Sequence, residues 1–224
     1  MAAGDWLERW FESDPIKACF GFDSVVGNFA SPWSPGTAYV LLHHVFGEVN
    51  GKKGTWGHAL GGMGAISQAL AQEATARGVA IRTGVGVERI LEAGGRAAGL
   101  ALSDGTEVAA RCVVANANPR LVAKLADGPA WPEAFANYQC ESATFRMNVA
   151  LSELPDFACL PGRAPAPHHS SGIILAPTLA YMDRAHASAR EEGWSREPIV
   201  EVLIPSTVDD TLAPRGAHVA SLFC

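Results

Sequence analysis

The fold is decided by residues 61–117, which read GGMGAISQALAQEATARGVAIRTGVGVERILEAGGRAAGLALSDGTEVAARCVVANA. Four apolar residues after the opening glycines recur at the spacing of one helix face: Met63, Ile66, Leu70 and Ala74. Gly78 is suited to end this helix, because glycine adopts the left-handed conformation that closes many helices. The stretch therefore begins with a predicted helix that ends near Gly78.

Strand-like segments follow this helix. Five short segments carry the composition or alternation of strands: 79–83, 85–92, 97–102, 107–111 and 112–115. The second, third and fourth are joined by Ala93-Gly94-Gly95-Arg96 and by Asp104-Gly105, which predict tight turns and hence an antiparallel meander. The fifth is an apolar run typical of a strand buried on both faces. It ends at Asn116-Ala117-Asn118-Pro119, where another helix is predicted to begin.

The residues on either side of this stretch predict a second layer. Helices are predicted to begin at Asp5, at Asp14-Pro15 and before Tyr39, and an exposed connection is predicted at 47–55. The last hundred residues predict strands at 144–151 and 199–204, a helix at 178–192 and a proline-rich loop at 161–169. Residues 218–224 alternate like a strand but stop without a turn, so we expect the sequence to be cut there. Strands covered by a helix are the simplest arrangement of this part.

Composition excludes several classes of protein. The chain has 224 residues, 48% of them hydrophobic, which is enough for a sizeable core and atypical of a disordered segment. Its net charge of −6 and the lack of a basic cluster longer than Lys52-Lys53 argue against a nucleic-acid partner. The longest early apolar run, 38–46, is too short to cross a bilayer, and no secretory signal opens the chain. We therefore expect an intracellular protein without a transmembrane segment.

The cysteines and histidines do not predict a metal site. The five cysteines are Cys19, Cys112, Cys140, Cys159 and Cys224, and they include no CxxC pair. They predict buried thiols rather than a disulfide framework or a zinc site. Adjacent histidines such as His43-His44 and His168-His169 diverge by about 100 degrees on a helix, and no nearby carboxylate has ligand spacing. A zinc hydrolase or a serine hydrolase would need bound metal or a reactive serine, and there is no GxSxG motif.

Two glycine pairs resemble part of a dinucleotide fingerprint. Gly84-Val85-Gly86 is followed by a strand pattern, so no helix N-terminus would face a phosphate there. Gly62-Met63-Gly64 does open a helix, but Ser67 occupies the third glycine position and no acidic residue ends the following strand. Close helix packing explains these glycines better than a pyrophosphate site does.

Trp56 and His58 are the side chains that we place at a substrate. They lie close together immediately before the glycine run, and Trp56 is the aromatic residue that we most readily place at a ligand. The alternative is that Trp56 is a core residue.

The order of these elements resembles the middle of flavoenzymes in the phytoene desaturase and amine oxidase superfamily. The resemblance rests on the glycine-rich helix start, the Gly-Val-Ala-Ile-Arg segment, the Asp-Gly turn and Val-Val-x-Asn-Ala, all within residues 61–117. Four further segments also resemble a member of that superfamily: 31–44, 54–64, 167–169 and 204–214. Since such enzymes carry GxGxxG near their N-terminus and a late glycine-rich helix, we expect this chain to be an internal piece that does not retain FAD by itself.

The resemblance implies a fold and a cofactor site. The implied fold is an α/β mixture: a helical part of a substrate domain at 1–55, a partial FAD-binding Rossmann-like domain with a β-meander at 56–125, and a substrate-domain sheet and helix at 126–224. The adenine contact falls on the backbone of Val87, and the strand-to-loop return falls on Asn116 and Ala117. The superfamily usually has serine before that asparagine, and this chain has Ala115 instead.

The resemblance also implies an activity. We expect an FAD-dependent oxidoreductase that dehydrogenates or desaturates a small apolar or amine-like substrate, with its catalytic residues unknown and this fragment inactive alone. The alternative is a binding or regulatory protein that keeps the fold without turnover. By the same resemblance, the compartment is the bacterial cytoplasm or, in a eukaryote, the mitochondrial matrix.

Overall fold

The computed structural model describes residues 1–126, 128, 135, 137, 138 and 144–224. The helices are α1 Ala3–Leu7, α2 Asp14–Asp23, α3 Thr37–Val45, α4 Met63–Ala76, α5 Pro119–Leu125 and α6 Leu179–Glu192. The strands are β1 Glu48–Val49, β2 Lys52–Lys53, β3 Val87–Ala93, β4 Arg96–Leu102, β5 Glu107–Ala109, β6 Arg146–Leu151, β7 Ile173–Leu175, β8 Val200–Leu203 and β9 His218–Phe223. These strands form three antiparallel sheets, so the predicted mixture of α and β structure is confirmed.

The chain divides into two compact units. One combines Met1–Ala69 with Ser142–Cys224, and the other is Leu70–Glu141. The first contains the four-stranded sheet with strand order β6-β9-β8-β7, and the second contains the meander β3-β4-β5. The domain boundaries at 55 and 125 remain predictions.

The sheet of the first unit is covered on both faces. On one face Ile174 and Phe223 pack against a cluster built mainly from α1, α2, α3 and α6, in which Leu7 and Met182 are fully buried. On the other face Val202 and Leu222 pack with Ile204. This division follows from strand geometry, because successive side chains point to opposite faces and paired residues share a face. The core of this unit therefore joins residues from both ends of the chain.

The sequence predicts the ends of α6 correctly and the start of α1 incorrectly. Thr178 caps α6 through a hydrogen bond from the Tyr181 N–H, at 3.0 Å, and Gly193 ends it with φ of 81°. The predicted helix at 178–192 is thus confirmed. The prediction that Asp5 caps the first helix is wrong, because the helix begins earlier and the Ala3 N–H donates to Thr37 Oγ1 at 2.9 Å.

The predicted meander is also confirmed. Ala93 pairs with Arg96 across the turn Gly94-Gly95, whose φ angles of 59° and 74° are those that glycine adopts without strain. The predicted exposed connection at 47–55 is largely exposed, and it forms the short hairpin β1-β2.

Two predicted strands do not form. In the described part of the chain, residues 79–83 and 112–115 are irregular and pair with no strand. Val114 is 92% exposed, although its apolar run predicted burial on both faces. A strand requires a neighbour to take its backbone hydrogen bonds, and the described residues supply none here. The Rossmann-like character of this unit therefore remains a prediction.

The four described cysteines, Cys19, Cys112, Cys159 and Cys224, are free thiols. Cys19, Cys112 and Cys159 are exposed, contrary to the predicted burial, and Cys224 is partly buried. Cys140 lies outside the described residues. None of the described helices is both long and apolar enough to cross a membrane.

Candidate functional site

A buried carboxylate lies at the centre of the candidate site. The side chain of Asp209 has no exposed surface, and its two oxygens accept hydrogen bonds from three residues. Oδ1 accepts from the Thr211 hydroxyl at 2.6 Å and the Thr211 N–H at 3.0 Å. Oδ2 accepts from the Gly61 N–H at 2.7 Å and faces His58 Nε2 at 3.2 Å. One oxygen thus closes a local turn, and the other holds a loop about 150 residues away in sequence.

Hydrogen bonding keeps Asp209 ionised. The Thr211 hydroxyl, the Gly61 and Thr211 N–H groups and His58 together hold the pKa of the Asp209 carboxyl at about 2, against the opposing effect of burial. Each of these donors stabilises the charged form, which would otherwise be costly for a carboxylate with no exposed surface. Asp209 is therefore an acceptor at any pH near neutrality.

The glycine run shapes the loop that Asp209 holds. Gly61 and Gly62 have φ angles of 81° and 74°, in the left-handed region that disfavours residues with a Cβ. This turn aims the Gly61 N–H at Asp209 and leads directly into α4. Gly62 also lies close to Leu212, to which an added Cβ would come within 3.4 Å. The glycines that resembled a phosphate loop thus make a sharp turn fastened to a carboxylate.

Trp56 and His58 lie just before this turn, among exposed apolar side chains. Trp56 is 77% exposed, so the alternative that it is a core residue is wrong, and its ring lies parallel to that of His44 with centroids 6.3 Å apart. Leu60 and Met63 are exposed to a similar degree. The imidazole of His58 is about one third exposed, at 35%. The loop therefore presents one polar ring among apolar side chains.

Val87 occupies the edge of the meander in the second unit. The Ser103 N–H donates to the Gly86 carbonyl at 2.9 Å, so the pair Val87–Leu102 is of the type without mutual hydrogen bonds. The N–H and C=O of Val87 consequently point away from β4. Since β3 is the first strand of its sheet, they point to an open edge.

Asn116 and Ala117 lie in the exposed loop before α5. Ala117 lines a cleft of about 350 Å³ in the second unit, together with Ile90, Glu92, Arg96, Val113 and Ala115 among other residues. Asn116 and Val87 are not among its lining residues. The predicted cofactor residues thus lie in one unit, and Trp56 and His58 lie in the other.

Asp23 and Glu201 are two further residues of the first unit whose carboxyl pKa values are shifted. Burial raises the pKa of both carboxyls. The charge of Asp23 raises the pKa of Glu201 further, while Arg146 opposes this shift. His44 likewise opposes the shift of Asp23.

The sequence Asp209-Asp210 predicts an ordinary turn. The turn is present, because Asp209 caps the 3₁₀ helix Asp210–Leu212 through the Thr211 N–H. The Asp-x-Thr pattern signals such a cap. The contacts with Gly61 and His58 carry no local signal, since 148 and 151 residues separate the partners.

Residues 8–144 match the family described as flavin containing amine oxidoreductase. The chain belongs to this family. It is also 39% identical, over 97% of its length, to rat (Rattus norvegicus) "Pyridine nucleotide-disulfide oxidoreductase domain-containing protein 2", of which it covers 39%. It is 35% identical to the hydroxyneurosporene desaturase of Rubrivivax gelatinosus, over 66% of this chain and 28% of that enzyme. It is 26% identical to the chloroplastic prolycopene isomerase of Arabidopsis thaliana, over 82% of this chain and 27% of that protein.

The family match confirms the predicted resemblance to amine oxidases and carotenoid desaturases. It includes all five predicted site residues: Trp56, His58, Val87, Asn116 and Ala117. The chain spans about two fifths of the length of the rat relative.

Proposed function

We propose that the protein is an FAD-dependent oxidoreductase that dehydrogenates a small apolar or amine-like substrate. The observation that carries this proposal is membership of the flavin containing amine oxidoreductase family, with a match over residues 8–144. The similarity to a hydroxyneurosporene desaturase and to a phytoene desaturase of Myxococcus xanthus supports oxidation as the reaction type. FAD, when bound, supplies the acceptor for the two electrons that the substrate loses.

The described residues fit the adenine end of FAD. An adenine edge needs one backbone donor and one backbone acceptor, and Val87 directs both groups to an open sheet edge. We propose that Val87 binds the adenine through its main chain. We also propose that Asn116 and Ala117 contact the cofactor from the loop that follows the sheet. The side chain of Val87 takes no part in this contact.

The surface around Trp56 supports an apolar substrate. Trp56, Leu60 and Met63 are all exposed within eight residues of one another, and an apolar substrate that covered them would remove apolar surface from water. Two relatives are named as desaturases of hydroxyneurosporene and of phytoene, which are largely hydrocarbon molecules. An amine-like substrate is supported by the family name and by the single imidazole among these apolar groups.

The test is to purify the complete gene product and to examine its flavin. We expect bound FAD, and we expect its yellow absorbance to bleach anaerobically with benzylamine or with phytoene. A protein that purifies without FAD and does not take it up would overturn the assignment. A protein that binds FAD but is reduced by neither compound would favour the alternative, a flavin-binding protein without turnover.

A further inference from the structure

The hydrogen bond between His58 and Asp209 determines which imidazole nitrogen carries a proton. Asp209 is ionised and can only accept, so His58 Nε2, 3.2 Å from Oδ2, must be the donor. A neutral imidazole with its proton on Nε2 has a bare lone pair on Nδ1. In its neutral form His58 is thus an acceptor at Nδ1.

The remaining contacts show that this acceptor is available to a ligand. Within the described residues, His58 makes no hydrogen bond besides the one to Asp209. Its ring is partly exposed, whereas the carboxylate that orients it has no exposed surface.

The neighbouring side chains define the kind of ligand. Trp56 precedes His58 by two residues, and Leu60 follows it by two; both are largely exposed. A molecule that covers these groups gains from its apolar surface, and the imidazole adds one directional acceptor. The matching ligand has an apolar body and one N–H or O–H donor.

We propose that His58 Nδ1 accepts the N–H or O–H proton of an apolar amine or alcohol substrate, and that Asp209 is the positioning residue that fixes the imidazole for this transfer. This inference rests on the proposed function. The substrate's N–H or O–H bond breaks, an Nδ1–H bond forms, and the electron pair left on nitrogen or oxygen becomes part of a C=N or C=O bond. The adjacent carbon would lose its hydrogen together with two electrons to the oxidant that FAD would supply when bound, so two electrons and two hydrogens would leave the substrate. Asp209 stabilises the resulting imidazolium.

The competing explanation is that Asp209 only holds the loop of Gly61 and His58 in place and has no part in catalysis. Oδ2 also receives the Gly61 N–H, and that bond, at 2.7 Å, is the shorter of the two. Two variants test the hydrogen bond to His58. Asp209→Asn removes the charge at nearly constant volume, and Thr211→Val removes the hydroxyl bound to Oδ1 without touching Oδ2.

The first experiment is ¹⁵N NMR of the His58 ring in the 224-residue chain. We expect an unprotonated Nδ1 and a slowly exchanging Nε2 proton in the parent and in Thr211→Val. In Asp209→Asn we expect that proton to exchange at least about tenfold faster, as loss of about 1.4 kcal/mol of hydrogen-bond energy would produce. A proton on Nδ1 in the parent, or unchanged exchange in Asp209→Asn, would overturn the proposal. If Asp209→Asn does not fold, the protonation state in the parent and in Thr211→Val decides.

Two probes then test the ligand class. Benzyl alcohol and toluene share an apolar ring, but only the alcohol has a donor. We expect benzyl alcohol to shift the Nδ1 resonance and toluene to leave it in place. Equal responses, or no response to either, would contradict a donor-binding site at His58.

Turnover of the complete, flavin-loaded gene product provides the last test. General-base catalysis contributes about 10²–10⁴-fold, so His58→Ala should slow flavin reduction by that factor with flavin content unchanged. Added imidazole should restore part of the rate. His186→Ala is the control, because that ring packs on Phe29 instead. Normal reduction in His58→Ala would refute the inference alone, whereas a parent that no substrate reduces would refute the proposed function.

Discussion

Replacing Val87 with proline should weaken FAD binding and leave the meander intact. Proline removes the N–H of residue 87, which points away from β4 because Val87–Leu102 is a pair without mutual hydrogen bonds. The ladder to β4 therefore loses no bond. Position 87 is both the first residue of its strand and on an edge strand, and these are the places where sheets tolerate proline.

The expected loss follows from the single hydrogen bond at stake. A hydrogen bond between neutral groups contributes about 0.5–1.5 kcal/mol net, which corresponds to about a 2- to 13-fold change in Kd. Val87→Ala keeps the N–H and removes two methyl groups from a side chain that is 39% exposed. Its effect on FAD affinity should therefore be smaller than that of proline.

The assay is quenching of flavin fluorescence on titration into the apo form of the complete gene product. The matched control is Leu100→Pro, since Leu100 pairs with Ile90 on one side and Val108 on the other and cannot lose its N–H without breaking the sheet. We expect Leu100→Pro to lower the unfolding temperature and Val87→Pro to leave it nearly unchanged. If Val87→Pro binds FAD as tightly as the parent while remaining folded, the adenine assignment is wrong. If both proline variants lower the unfolding temperature equally, the statement that the Val87 N–H points to an open sheet edge is wrong.

Three further predictions concern stability. Met182→Ala should cost about 2–5 kcal/mol in urea unfolding, because the side chain is fully buried, whereas Met63→Ala, at an exposed position, should change stability by about 0.5 kcal/mol at most; equal effects would contradict the core. Glu201→Gln should be more stable than the parent at pH 7, with the difference vanishing below about pH 4, because a raised folded-state pKa makes ionisation destabilising as pH rises through the ordinary carboxyl range; a difference that grows on acidification would refute this. Gly99→Ala should disrupt β4-β5 pairing, seen as faster amide exchange in β5, since an added Cβ would overlap the Val108 carbonyl oxygen; unchanged exchange would contradict the packing.

Features encoded by neighbouring residues could be predicted from the sequence. The ends of α6 follow from Thr178 and Gly193, and the meander follows from Gly94-Gly95. In each case the hydrogen bonds or φ angles that define the feature lie within a few residues, so composition and spacing contain the needed information.

Features that depend on distant partners could not be predicted in this way. Residues 79–83 have the composition of a strand, yet they pair with none in the described part of the chain, because strand formation depends on a neighbour as much as on propensity. The contact between Asp209 and His58 is another such case, since 151 residues separate the two. Trp56 and His58 could be selected as a pair, but the carboxylate that orients the histidine could not.

The conformation of the Gly61-Gly62 turn depends on its hydrogen bond to the buried Asp209 carboxylate. Glycine loses more conformational entropy on folding than any other residue, so Gly61-Gly62 would form a mobile segment if nothing held it. Asp209 offsets that cost by accepting the Gly61 N–H at a carboxylate with no exposed surface, and the same oxygen contacts His58 three residues earlier. The entropy cost of ordering this loop therefore arises when the protein folds and not when a substrate binds. A polar acceptor that is already oriented before the substrate arrives is the arrangement that proton transfer requires.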